Sequence, residues 1–394
     1  MKILMVESLL WDSPYQVGSH KYARLFAEDG HQVFWLAPQW NLLGLVKHSL
    51  IKDEEAVPKS FRIWRHGGIR VHDNIVTYAP LTLLPYRNSP GLSSEMVANL
   101  SWRFTIPSLN SVLHHWGFNN VDVLWLTEPA SYFSMRLVSY RFLVHRVFDD
   151  LQGHENLSKT THQLQIRLIK DADIVLVTAK TLLQQVERIR RKAVHLVPNG
   201  VDYEHFVTPT DPPCEYEKIP PPRVVYVGAI REWFDVELLA YAARSLPQYS
   251  FVLIGDPLID ISLIRTMPNV FCLGSRDFRL IPAYLQHSQV GIIPFKVNRL
   301  TNSVHPIKLY EYFASGLPVV SVKLDEIYSI RSPAVLTSTP DEFVDALQRA
   351  AITTSSDASV RYRQFAEQHR WINRYAIVRD LLNQLDASYT TGVF

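Results

Sequence analysis

Cysteine is nearly missing from this sequence: 394 residues hold two, Cys214 and Cys272. They lie far apart, without the paired spacing of a zinc site, and two thiols make no disulfide framework. Such usage suits a reducing compartment, so the expected location is the cytoplasm. An excess of one charge is also lacking. Lys and Arg number 40 against 38 Asp and Glu, a formal net charge of +2, which excludes the global basicity of a nucleic-acid binder. No apolar run approaches the ~18 residues of a spanning helix, so the chain is expected not to cross a membrane. The opening MKILMVESLLW has no small-residue cleavage site and reads as a buried first strand rather than a signal peptide. No short-period repeat or low-complexity tract occurs. No acidic cluster has metal-binding spacing, and no metal or other cofactor is expected.

What the chain does have is alternation. It is 47% hydrophobic and 20% charged, a globular composition too long for one core, so two domains are expected. Apolar strand patterns at 2–6, 32–37, 121–127, 142–148, 173–178 and 194–200 are separated by helical ones. Fully apolar strands alternating with helices imply a parallel sheet covered on both faces. Residues 207–223 then carry six prolines and read as a linker. Beyond them strands recur at 224–230, 250–255, 269–274, 290–295 and 318–322. A long helical segment is expected over 360–385. The boundaries follow: a first domain over 1–206, a linker over 207–222, a second domain over 223–359, and helices within 360–394 returning to the first domain. In doubly wound sheets ligands bind outside the carboxyl ends of the strands, so the site is expected where the two domains face each other.

One stretch, HPIKLYEYFASGLPVVS at 305–321, carries the most chemistry. Pro306 suits the first turn of a helix, and Lys308 and Glu311, three apart, share a helical face. A helix start attracts anions, so a lysine there is misplaced unless an anion occupies the site. A glutamate one turn on can accept two ribose hydroxyls. An exposed ion pair would leave the same spacing.

The stretch resembles the donor-binding segment of glycosyltransferases of the GT-B fold, group 1 and the teichuronic-acid-type and xanthan glucuronosyltransferase-like members. Their pattern P-x-K-x-x-E-Y-x-A-x-G-x-P-V-V is matched by Pro306, Lys308, Glu311, Tyr312, Ala314, Gly316, Pro318, Val319 and Val320. The resemblance implies two Rossmann-like domains around a cleft, with a C-terminal helix crossing back to the N-terminal domain. It also implies Lys308 on the diphosphate of a nucleotide-sugar, Glu311 on its ribose, and no bound metal. UDP is the expected nucleotide. Retaining members often carry a glutamate eight residues before the second one, where this chain has Ser303.

The same comparison nominates further residues. Gly228 would admit a phosphate or sugar to the backbone, Arg231 would neutralise diphosphate charge, and Trp233 and Phe234 would wall the site or simply pack a helix start. Ser275, Arg276 and Thr301 are donor-side candidates, whereas Lys296 reads as a surface residue. In the acceptor half, Trp11, Tyr15 and Gly18 suit a saccharide, since aromatic faces and mixed donors recognise sugar rings. His20 follows at a helix start, as a catalytic candidate or a polar surface residue. The strand HRVFDD ends in Asp149, the counterpart of a catalytic base, and its neighbour Asp150; an aspartate there could equally cap a helix. Glu128, at another strand end, is the reserve base.

Residues 38–71 have no clear counterpart. Leu42, Leu43, Leu45, Val46 and Leu50 could form one helical face beside Lys47, His48 and Lys52, resting on an anionic inner membrane or packing against the protein. The expected partners are therefore a nucleotide-sugar and a glycan or lipid-linked acceptor, with peripheral contact at the cytoplasmic face of the membrane and no nucleic acid. The expected activity is sugar transfer in cell-surface polysaccharide synthesis, inverting with Asp149 as base. A nucleotide-sugar 2-epimerase and a non-catalytic binding protein on the same fold are the alternatives.

Overall fold

In a computed structural model of the chain, residues 1–13, 16–41, 58–150, 153, 157–352 and 356–391 are described. The apolar runs become two mainly parallel sheets. The first has eight strands, in the order Val194–Leu196, Ile174–Val177, Ser139–Val147, Asn120–Leu126, Lys2–Val6, Gln32–Leu36, Ile75–Tyr78 and Ile69–His72. Its last pair is antiparallel and the rest are parallel. Side chains alternate across a strand, and here both sides are buried. Leu4, Val6, Phe34, Leu36, Leu124 and Leu126 enter one core. Their sequence neighbours Ile3, Met5, Val33, Trp35, Val123 and Trp125 enter the other.

The second sheet runs Val270–Cys272, Ser250–Ile254, Arg223–Val227, Val290–Ile293, Val319–Val322 and Val335–Thr337. Numbered within this lobe the order is 3-2-1-4-5-6, that of a dinucleotide-binding domain. Its switch point lies between Arg223–Val227 and Val290–Ile293, which pair in parallel. The loops beginning at Gly228 and Pro294 therefore diverge and open a crevice.

The helical segment expected over 360–385 is interrupted. Helix Ser356–Glu367 ends, and a second helix, Trp371–Thr391, begins. Between them the backbone turns to another partner: Val201 N–H donates to the His369 carbonyl and Trp371 N–H to the Val201 carbonyl, at 3.0 and 3.2 Å. The first of these helices stays with the second lobe, where Ala366 joins the core. The second crosses to the first lobe and seats Trp371, Tyr375, Val378 and Leu382 in its core. The proline-rich segment is also partly ordered on the second lobe, with Tyr216 and Ile219 buried there.

Of residues 38–71, Trp40–Asn41 form a short strand beside Leu81–Thr82, Lys59–Arg65 form a helix, and Ile69–His72 form the sheet-edge strand. The expected helical face from Leu42 to Lys52 lies outside the described residues, as does Tyr15.

Candidate active site

A cleft of about 370 Å³ lies between the lobes, lined from both, within the usual size of a small-molecule site. From the second lobe it is built on helix Ile307–Ala314. Pro306 is the residue before this helix rather than its first turn, and offers no side-chain cap. Tyr312 anchors the helix, its hydroxyl accepting the Val227 N–H at 2.8 Å. That anchor holds Lys308 over the sheet's switch point. Its Nζ lies 4.1 Å from the centre of the Tyr226 ring and 4.7 Å from that of Phe295, a stabilising arrangement for a cation. Gly228 faces it at φ +136°, where a Cβ would come within 2.9 Å of Nζ.

Lys308 and Glu311 both line the cleft. Burial lowers Lys308 to about 7, with Glu311 opposing the shift. Burial also raises Glu311 to about 7, against the pull of Lys21 and Lys308. Each side chain is only partly covered, so the directions follow from a concave apolar wall rather than from full enclosure. Both groups stand in reach of a ligand with their charge weakly held.

Other second-lobe candidates are placed unevenly. Ser275, Arg276 and Thr301 line the cleft, but each is engaged. Ser275 Oγ donates to Asp256 at 2.6 Å, Arg276 pairs with Glu215 at 3.1 Å, and Thr301 Oγ1 donates to the Lys296 carbonyl at 2.5 Å. Arg231 is exposed and outside the lining, stacked over Trp233, which does line it. Phe234 is core. Lys296 is exposed, and Ser303 is buried behind the short helix Arg299–Asn302.

From the first lobe Gly18, Arg146, Phe148, Asp149 and Asn199 reach the cleft. Asp149 follows the end of strand Ser139–Val147. Its carboxyl is pushed up to about 7 by burial, with Arg146 pulling it down and Asp150 and Glu128 pushing it further up. Asp150 turns the other way, buried against Gln185 at 3.0 Å and Arg299 at 2.8 Å, a joint between the lobes. Glu128 stands outside the lining, raised by burial.

His20 and Trp11 are likewise outside it. The His20 ring is fully enclosed, accepting the Val17 N–H at Nδ1 and donating from Nε2 to the Leu10 carbonyl, at 3.2 and 3.1 Å. It packs on Trp35 and Trp11, with ring centres 4.4 and 5.6 Å away, and burial lowers it to about 4. It holds the loop as a neutral ring.

Sequence reasoning missed Arg146, Asn199, Phe295 and His305, which complete the lining. Of these only Arg146 left a trace, a cation near the buried end of a strand.

The cleft thus lies at the switch point between two Rossmann-like lobes, with Lys308 and Glu311 lining it from one helix. Residues 221–352 match the family model for glycosyl transferases group 1. Over 230 residues the chain is 27% identical to a Bacillus subtilis (strain 168) protein described as teichuronic acid biosynthesis glycosyltransferase TuaH; the match takes in 54% of this chain and 58% of that one, little more than half of each. Solved structures agree over nearly the whole length. Sucrose-phosphate synthase from Thermosynechococcus elongatus superposes with a TM-score of 0.69 at 15% identity, covering 98% of this chain and 99% of that one. Anabaena Alr3699/HepE in complex with UDP and glucose gives 0.65 at 15% identity, covering 98% and 100%. The chain has the GT-B fold of these structures, and its residues 221–352 are similar to glycosyl transferases group 1.

Proposed function

We propose that this protein transfers a sugar from a UDP-sugar to a glycan or lipid-linked saccharide in the synthesis of a cell-surface polysaccharide. The observation that carries this reading is the placement of Lys308 and Glu311 on one helical face, turned into the cleft against the bare backbone of Gly228. Similarity to a teichuronic-acid glycosyltransferase and to a fold that binds UDP and glucose in another protein supports it.

The residues divide the work as follows. Lys308 and the first amides of helix Ile307–Ala314 neutralise the diphosphate as it leaves, a role that asks for no metal. Glu311 accepts the ribose hydroxyls. An acceptor hydroxyl attacks the anomeric carbon, the bond from that carbon to the diphosphate oxygen breaks, and Asp149 takes the hydroxyl proton. A carboxyl held near 7 suits a general base at neutral pH. With Ser303 in place of an earlier glutamate, the reaction inverts the anomeric centre. Among the described residues no helix is long and apolar enough to cross a membrane; the enzyme works at the cytoplasmic face by peripheral contact.

The test is UDP release from a panel of UDP-sugars, with and without saccharide acceptors, with the products resolved by mass and anomeric configuration. Acceptor-dependent release with an inverted product is expected. Release without acceptor, together with an epimerised sugar, would assign a 2-epimerase instead.

A further inference from the structure

The loop that follows strand Val194–Leu196 meets the rest of the molecule residue by residue. Asn199 is buried and bridges the two lobes. Its Oδ1 accepts from Arg146 Nη2 at 2.8 Å, and its Nδ2 donates to the His305 carbonyl at 2.7 Å. His305 belongs to the second lobe and stands two residues before helix Ile307–Ala314, which carries Lys308. At Gly200 a Cβ would come within 2.9 Å of the His369 carbonyl oxygen and 3.0 Å of the Trp371 nitrogen, so the crossing segment rests there on bare backbone. Asp202 pairs with Lys21, whose ammonium lies 4.5 Å from the centre of the Phe278 ring in the second lobe. Arg146, Asn199 and His305 all line the cleft. An arginine can only donate and a carbonyl can only accept, so the group between them must do both, as a primary amide does from two atoms.

We propose that Asn199 is a positioning residue for sugar transfer, fixing the Arg146 and Asp149 wall of the first lobe against the helix start that carries Lys308. This rests on the glycosyl-transfer reading. The base and the cation of that reaction, Asp149 and Lys308, come from different lobes, so contacts elsewhere set their separation. Two other cross-lobe contacts, Asp150 with Arg299 and the Lys180 N–H with Glu326, join residues outside the lining. The Asn199 bridge joins lining residues on both sides, nearest the chemistry. A misplacement of about 1 Å between reacting groups can cost on the order of 10²-fold in rate. The bridge also holds a charge in place. Burial raises the Asp149 carboxyl, Arg146 pulls it down, and Asp150 and Glu128 push it up. Arg146 is faced in turn by Tyr22, Glu7 and Asp149. Without the Asn199 amide the guanidinium is free to turn, and its pull on Asp149 weakens. A carboxyl that loses a neighbouring cation titrates at higher pH. Lys308, Glu311 and Gly228, the groups assigned to UDP, stay on the second lobe whatever the register of the first.

The test compares the full chain with Asn199→Ala, using the UDP-sugar and saccharide pair that releases UDP fastest in the panel above, and calorimetry with UDP alone. In Asn199→Ala kcat is expected to fall about tenfold or more, while UDP affinity and the KM for the UDP-sugar stay within about threefold. The acid limb of kcat is expected to move to higher pH by about half a unit. Asn199→Gln, with the same donor and acceptor on a stem one methylene longer, should recover part of the lost kcat. A merely structural role would lower kcat and UDP affinity together and leave the limb in place. Retained kcat, UDP affinity lost along with it, or an unmoved limb each overturn the proposal. If Asn199→Ala does not fold, Asn199→Gln and Asn199→Ser decide it by the same split. Absence of acceptor-dependent UDP release from the wild type overturns the glycosyl-transfer reading and this one together.

Discussion

Glu326 of the second lobe accepts the backbone N–H of Lys180 in the first, at 2.9 Å. Lys180 opens a helix whose preceding residue, Ala179, offers no side-chain cap, so the cap comes from across the domain boundary. The other carboxylate oxygen takes the Nδ1 proton of His305 at 2.8 Å, and His305 Nε2 in turn accepts the Tyr310 hydroxyl at 2.7 Å. Tyr310 is on the helix of Lys308 and Glu311. The join between the lobes and the seat of helix Ile307–Ala314 are thus one hydrogen-bonded network.

Glu326→Ala leaves an N–H and an imidazole N–H without partners, each worth about 1–3 kcal/mol when buried. Denaturant unfolding should show a loss of about 2–4 kcal/mol. Small-angle scattering should show a larger radius of gyration for the variant. An unchanged radius would mean that the lobes are held together elsewhere.

Gly228→Ala should be tolerated by the fold and damaging to the site. A side chain at φ +136° is strained by about 1–3 kcal/mol, and the new Cβ would push the Lys308 ammonium from its place. UDP affinity measured by calorimetry is expected to fall more than tenfold, while circular dichroism stays native.

Binding of UDP should draw in a proton at pH 8. Burial leaves Lys308 near 7 in the free protein, so most of it is neutral at that pH, and a bound diphosphate restores its charge. Glu311, also near 7, is by then mostly ionised and contributes little. Titrations in buffers of different ionisation enthalpy count the protons, and Lys308→Ala should remove the uptake along with most of the affinity.

Turnover should fall as pH drops through about 7, roughly tenfold per unit below it, because the Asp149 carboxyl must be ionised to take a proton and is held near that value. Asp149→Asn should lower kcat by about 10²–10⁴ and leave UDP affinity within threefold. A variant with normal turnover would remove Asp149 from the mechanism.

The strands were legible because burial on both faces demands continuous apolar runs, as in KILMV and DIVLV. Lys308 and Glu311 were legible because a helical face is a local property. The break at 368–370 was not. No glycine or proline marks it, and the chain leaves its helix there because Val201, far away in sequence, takes over the backbone bonds. Arg146 and Asn199 share this difficulty, since their meeting at the cleft depends on a strand end, a loop distant in sequence and the opposite lobe. His20 shows the converse. A histidine at a helix start reads as polar surface, but Trp11 and Trp35 close over it.

The helix Trp371–Thr391 has a consequence for how the molecule is made. Its aromatic and aliphatic side chains complete a hydrophobic layer whose other contributors start at residue 3, so synthesis must pass through the entire second lobe before that layer can close. On the ribosome the first lobe waits, partly exposed, for a piece translated only after the second, and chaperone dependence or aggregation during expression should track that delay.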